Sequence, residues 1–166
     1  MSIHRRATLL GFTLLAAAFP HALGAQAQSL AGTWTLNAAK STYDPPDLGN
    51  KSGTVTYTFS GNSVTARVNQ LNAKGQLVKF EYTATLDGAD APWKGTIDGK
   101  PIAGQDAVTF KKLDANTYHV ENKLKGKVTT INHIVISADG RTRTVTTTGT
   151  SADGKKIHNV AVFDKR

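Results

Sequence analysis

The residues able to do chemistry are few and widely spaced. His119, His133 and His158 lie far apart, and Glu81 and Glu121 are the only glutamates. Nucleophilic catalysis needs a Ser or Cys beside an oriented base. The chain has no cysteine, and no glycine-rich elbow surrounds a serine. His119 and Glu121, two residues apart, share one face of a strand and could supply two metal ligands. A third histidine is needed and no compact ligand set follows, so no metal and no cofactor is assigned. Asp87, Asp98, Asp139 and Asp153 each precede glycine, where an aspartate shapes a turn. The pattern points to a binding protein rather than an enzyme, with no catalytic residue.

The pattern is richer in residues suited to holding a ligand. Tyr57, Phe59, Phe80, Tyr82, Phe110 and Tyr118 recur on the apolar faces of alternating segments and are the expected aromatic lining of a cavity. Gln70, Asn122, Thr130, Asn132 and Asn159 alternate in phase with inward-facing neighbours. A packed core seldom buries so many amides and hydroxyls, so they suggest a solvated cavity or a ligand with polar groups. Asn132 and Arg143 are the expected polar contacts.

The elements that must position these residues are strands. Apolar and polar residues alternate with period two in Thr54 to Phe59, in Val64 to Asn69 and in Val78 to Leu86, as in half-buried antiparallel strands. Further strands are expected at Ala107–Leu113, Thr117–Lys125, Lys127–Ser137, Arg143–Thr150 and Ile157–Asp164. Asp-Gly and Lys-Gly turns separate most of them. Trp93–Ile97, bracketed by Pro92 and Pro101, reads as an edge or poorly paired strand. In Lys127–Ser137 the pattern blurs, with Val128, Ile134 and Ile136 on one face and Ile131 and Val135 on the other. Asn37 to Ser52, with Pro45-Pro46, reads as a long loop holding one helical turn, of the kind that often serves as a lid. The fold class is all-β. A meander of this length is expected to close into a single antiparallel up-and-down β-barrel of about 8–10 strands, because closure removes exposed edges.

Residues 1–27 have the layout of a secretory signal: Arg5-Arg6, an apolar run from Leu9 to Phe19, then Ala25-Gln26-Ala27 before the expected cut. A signal-peptide helix would therefore precede a barrel domain at 28–166, periplasmic or secreted. Removing Arg5 and Arg6 lowers the net charge from +8 to +6. Such a surface favours anionic partners. Weak contact with an anionic lipid surface is the expectation, since Lys111, Lys112, Lys123, Lys125 and Lys127 can gather at one barrel end. Nucleic acid is not expected, because single strands require stacking aromatics and Tyr118, the aromatic near those lysines, points inward. A monomer is expected.

Gly32-Thr33-Trp34, at the head of the first strand, resembles the G-x-W motif of the lipocalin and fatty-acid-binding protein superfamily, the calycins. The meander that follows, and the ending Val160-Ala161-Val162-Phe163-Asp164-Lys165-Arg166, look like the fatty-acid-binding branch and like lipocalin-like exported proteins of bacteria. The resemblance implies a barrel with an internal cavity for a small apolar or amphipathic ligand, and Trp34 closing one barrel end. It also implies a carboxylate-binding Arg two residues before an aromatic on the last strand. Phe163 matches the aromatic, but Ala161 stands at the Arg position, with Arg141 and Arg143 on or beside the preceding strand as substitutes. Two other readings stay open: an envelope-interaction protein with a filled barrel and basic surface, and an isomerase-type enzyme using a barrel cavity.

Overall fold

The computed structural model describes residues 29–151 and 153–166. The leader segment of residues 1–27 lies outside them. The strands are β1 (Gly32–Leu36), β2 (Asn50–Ser60), β3 (Ser63–Asn72), β4 (Leu77–Thr85), β5 (Asp87–Ile97), β6 (Lys100–Pro101), β7 (Ala107–Lys112), β8 (Thr117–Leu124), β9 (Lys127–Ile136), β10 (Thr142–Thr150) and β11 (Lys156–Lys165). All pairings are antiparallel. The order runs β4-β3-β2-β1-β11-β10-β9-β8-β7-β5, and β4 pairs again with β5. Ten strands thus close a ring, and the two-residue β6 hangs on β5. The expected up-and-down barrel is the fold observed.

The turns follow from their side chains. Ser137 Oγ donates to Asp139 Oδ1 at 2.6 Å, and Asp139 Oδ1 also accepts from the Arg141 N–H at 3.0 Å. Gly140 supplies the left-handed residue, at φ 70°, that a tight hairpin needs. Ser151 and Asp153 make the same hydroxyl–carboxylate contact, which explains why the two turns look alike in sequence.

One end of the barrel is solid. Leu30, Trp34, Val64, Phe110 and Tyr118 are each completely buried there. Trp34 Nε1 donates to the Leu30 carbonyl at 2.9 Å, so the indole buries its ring without stranding its N–H. Burying a ring of this size contributes on the order of 4–6 kcal/mol before entropy is set against it. Gly32 adopts φ 111° and brings the backbone against Lys165, whose ammonium lies 5.0 Å from the Trp34 ring centroid.

Three details differ from the sequence reading. Trp93–Ile97 is not an edge: it is the second half of β5, paired with β4 through Val78↔Ile97 to Tyr82↔Trp93. Pro92 does stop that ladder, having no N–H to give, and the first half of β5 pairs with β7 instead. Val128 does not share a face with Ile134. A register shift sets Asn122↔Thr130 beside Lys123↔Val128, so one extra residue inverts the alternation and leaves Val128 46% exposed. Asn37 to Gly49 is not a free lid. It holds two 3-10 turns, Ala38–Lys40 and Pro46–Leu48, and is strapped to β11. The Thr42 N–H donates to the Val160 carbonyl and the His158 N–H to the Asp44 carbonyl, both at 2.8 Å.

Candidate functional site

Above the solid end a cavity of about 270 Å³, partly open to solvent, lies inside the barrel. Its wall across β9, β10 and β11 is built in rungs, because inward residues recur every second position and register aligns them across strands. Arg143 pairs with Phe163; Val145 lies between Ile134 and Ala161; Thr147 lies between Asn132 and Asn159. Every one of these residues lines the cavity. The wall therefore reads, from the solid end outward, cation, apolar, polar.

Arg143 lies on the innermost of these rungs and is only 5% exposed. Its Nε and Nη1 are buried without a hydrogen-bond partner. The guanidinium carbon lies 4.3 Å from the Phe163 ring centroid and 5.1 Å from that of Tyr57, within the range of cation–π attraction. Tyr57 and Tyr82 complete this inner region, 3% and 7% exposed. Burial raises the pKa of the Tyr57 hydroxyl, with the nearby Arg143 opposing. Burial raises that of Tyr82 well above the ordinary tyrosine value, reinforced by Tyr57 and opposed by Arg143. Two neutral phenols and an under-used guanidinium thus converge on one volume. An oxyanion there would meet a buried cation and hydrogen-bond donors.

The outer rungs carry amides. Thr147 Oγ1 donates to Asn132 Oδ1 at 2.7 Å. Asn122 Oδ1 accepts from Gln105 at 2.8 Å, and Asn122 Nδ2 donates to Thr130 at 2.8 Å. Asn159 Oδ1 accepts from the Asp44 N–H at 3.0 Å, so the segment strapped to β11 also orients a residue of the cavity wall. The lining contains no Asp, Glu or His.

Of the residues singled out from sequence, Tyr57, Gln70, Phe80, Tyr82, Asn122, Asn132, Arg143 and Asn159 come together around this cavity. Phe59, Phe110, Tyr118 and Thr130 do not line it. Phe110 forms the floor, with its ring centroid 6.3 Å from those of Tyr57 and Tyr82 and 5.7 Å from that of Tyr118. Tyr118 packs beneath it in the solid end, and Phe59 packs against the core half-buried. Their alternation marks an inward face but not the height along the barrel axis, and height separates plug from cavity. Trp93, Gln105 and Thr147 line the cavity and were not singled out. Thr147 was legible, two and four residues beyond Val145 and Arg143 on the same face. Gln105 sits in a loop, where no periodicity exists to place it.

A more open hollow of about 600 Å³ lies across β3, β4 and β5, sharing Val68, Phe80 and Trp93 with the interior. The Phe80 and Trp93 rings, 5.3 Å apart between centroids, stand between the two. The hollow's Arg67 is more than half exposed and already paired with Glu81 at 2.7 Å. Exposed pairs of this kind contribute little. The buried guanidinium with unpartnered nitrogens is inside. His119 and Glu121 face outward, 3.4 Å apart, and no cluster of metal-binding side chains is found among the described residues.

No protein-family model matches the chain, and no curated protein matches it. Among solved structures, the zebrafish ileal bile acid-binding protein complexed with cholic acid is similar at 12% identity, over 83% of this chain and 99% of that one, with a TM-score of 0.47. A redesigned β-barrel, mFAP1, bound to DFHBI is similar at 15% identity, over 83% of this chain and 96% of that one, with a TM-score of 0.42. The likeness is one of barrel fold. The chemistry assigned to the cavity stands on this chain's own residues.

Proposed function

We propose that this chain is an exported, monomeric, lipocalin-like carrier that binds a small amphipathic organic anion inside its barrel. The observation that carries the reading is Arg143: a buried guanidinium whose Nε and Nη1 have no partner, lining the cavity inside the barrel. Buried charges are ordinarily paired, and a bound carboxylate or similar oxyanion completes this one. Arg143 then does what an Arg at Ala161 would do, from the strand beside it. Val145, Ile134 and Ala161 supply the apolar contact next to it. Among the described residues the lining holds no carboxylate or imidazole, and burial keeps the phenols of Tyr57 and Tyr82 protonated and poor as bases, so the binding reading is favoured over an acid–base isomerase.

Calorimetric titration of the purified protein with decanoate tests this, run beside Arg143→Met. Removing one charged, buried hydrogen-bonding partner is expected to weaken binding at least about ten-fold. Equal affinity for both proteins, or no binding to either, sinks the proposal. Export is tested separately, by recovering the protein from the periplasm or medium and sequencing its N-terminus, with Gln28 as the expected first residue.

A further inference from the structure

We infer that the ligand is two-ended: an organic anion that also carries an oxygen acceptor, a hydroxyl or carbonyl, at the end remote from its charge. The inference rests on the anion-binding reading of Arg143 and deepens it. It follows from the order and filling of the rungs. On β10 the inward residues are Arg143, Val145 and Thr147, and each has an inward neighbour in register on β9 and β11. The middle rung, Ile134, Val145 and Ala161, is wholly apolar. The outer rung, Asn132, Thr147 and Asn159, is wholly polar.

The hydrogen bonds already made fix what the outer rung has to offer. Asn132 Oδ1 is taken by the Thr147 hydroxyl and Asn159 Oδ1 by the Asp44 N–H. Among the described residues, neither amide Nδ2 has a hydrogen-bond partner. The rung thus presents two N–H₂ donors flanking a threonine. A ligand group that accepts hydrogen bonds completes it; a methyl group there leaves both donors desolvated and unmet, the situation by which polar sites reject analogues lacking the matching group. From Arg143 to Thr147 is roughly 14 Å of strand, the reach of a medium-length acyl chain and not of a long one.

The test compares decanoate with ω-hydroxydecanoate, of the same charge and chain length, by calorimetric titration of the full-length mature protein. The hydroxy acid is expected to bind about ten-fold more tightly, as one or two added hydrogen bonds allow. In Asn132→Leu, close in shape but without donors, that preference is expected to collapse while decanoate affinity holds. Asn159→Leu, which removes the other amide donor, serves the same purpose if the first variant does not fold. Equal affinities in the unmodified protein, with both acids lost in Arg143→Met, overturn the two-ended ligand and leave the anion site standing: the amides are then a wetted rim. An undiminished preference in the folded variants overturns the role of this rung. Failure of either acid to bind, or binding indifferent to Arg143→Met, overturns the anion site and the inference with it.

Discussion

The Arg143 guanidinium lies over the ring of Phe163, its direct partner across β10 and β11, at 4.3 Å from carbon to ring centroid. With the Tyr57 ring at 5.1 Å, two π-faces help to hold the charge. Cation–π attraction stabilises the charge without consuming N–H donors. That is why a buried guanidinium can persist here with Nε and Nη1 unpartnered. The arrangement keeps the cation in place, hydrogen-bonded to Tyr57, with Nε and Nη1 unspent until a ligand arrives.

Such a group stabilises the empty protein poorly. Arg143→Met, which fills similar volume without buried donors, is expected to raise ligand-free stability by ~1–3 kcal/mol. Thermal unfolding should show a higher Tm for the variant. With decanoate added, the order should narrow or reverse, because only the unmodified protein gains binding free energy on folding. A variant less stable than the unmodified protein without ligand would make Arg143 a scaffold element.

At the opposite extreme of polarity, Trp34 closes the solid end. Trp34→Ala removes a completely buried ring and its bond to Leu30. It is expected to destabilise by ~3–5 kcal/mol, the range for large aromatic truncations. Trp34→Phe keeps most of the volume but strands the Leu30 carbonyl, for ~1–2 kcal/mol. Urea unfolding with an unchanged slope and a lower midpoint checks both. An unchanged midpoint in Trp34→Ala would mean the barrel end is closed by its neighbours alone.

Much of this was readable from residue order, and the failures share a cause. Alternation located the inward faces of β2, β3 and β4, and Gly32-Thr33-Trp34 located the plug. Alternation is blind to position along the barrel axis. Phe110 and Tyr118 therefore resembled Tyr57 and Tyr82, though the first pair packs into floor and plug while the second faces the cavity. Val128 failed because a bulge inverts the parity that every later inference on β9 depends on. Trp93 failed because Pro92 marks a local end of pairing with β4, and from sequence alone this cannot be told from the edge of a sheet. Arg143, by contrast, was legible once Ala161 was seen to leave the expected arginine position empty.

The Phe80–Trp93 pair has its own test in Gly95. A Cβ at Gly95 would meet Trp93 Cζ2 at 2.8 Å and Phe80 Cβ at 2.9 Å. The indole lies across the glycine because nothing projects from it. Gly95→Ala forces the ring aside or moves the strand, and overpacking of this kind costs ~1–3 kcal/mol. Trp93 is 7% exposed and Trp34 is completely buried, so a red shift and changed quenching of tryptophan emission would report displacement of Trp93. Trp34→Phe/Gly95→Ala, holding Trp93 as its single tryptophan, assigns the signal. An unshifted spectrum in that variant would show that the strand gives and the ring does not.

Tyrosine ionisation offers a readout that needs no ligand. Tyr43, Tyr57, Tyr82 and Tyr118 are all raised above the ordinary 10.0, with burial the largest cause in each case, and these are the chain's four tyrosines. A phenol with a raised pKa holds its proton in the folded protein after the unfolded chain has begun to lose it. The associated stability is complete below about pH 10 and is lost as pH rises from there through the folded-state values. Tm is therefore expected to fall steadily above about pH 10. Phenolate absorbance of the native protein should lag that of the urea-unfolded chain across the same window. Tyr82→Phe removes the group shifted furthest by its surroundings and should make the alkaline decline shallower. Four tyrosines titrating together near the ordinary value in the native protein would mean that water reaches Tyr57 and Tyr82 freely, and that the inner end of the cavity lacks the burial on which anion binding by Arg143 depends.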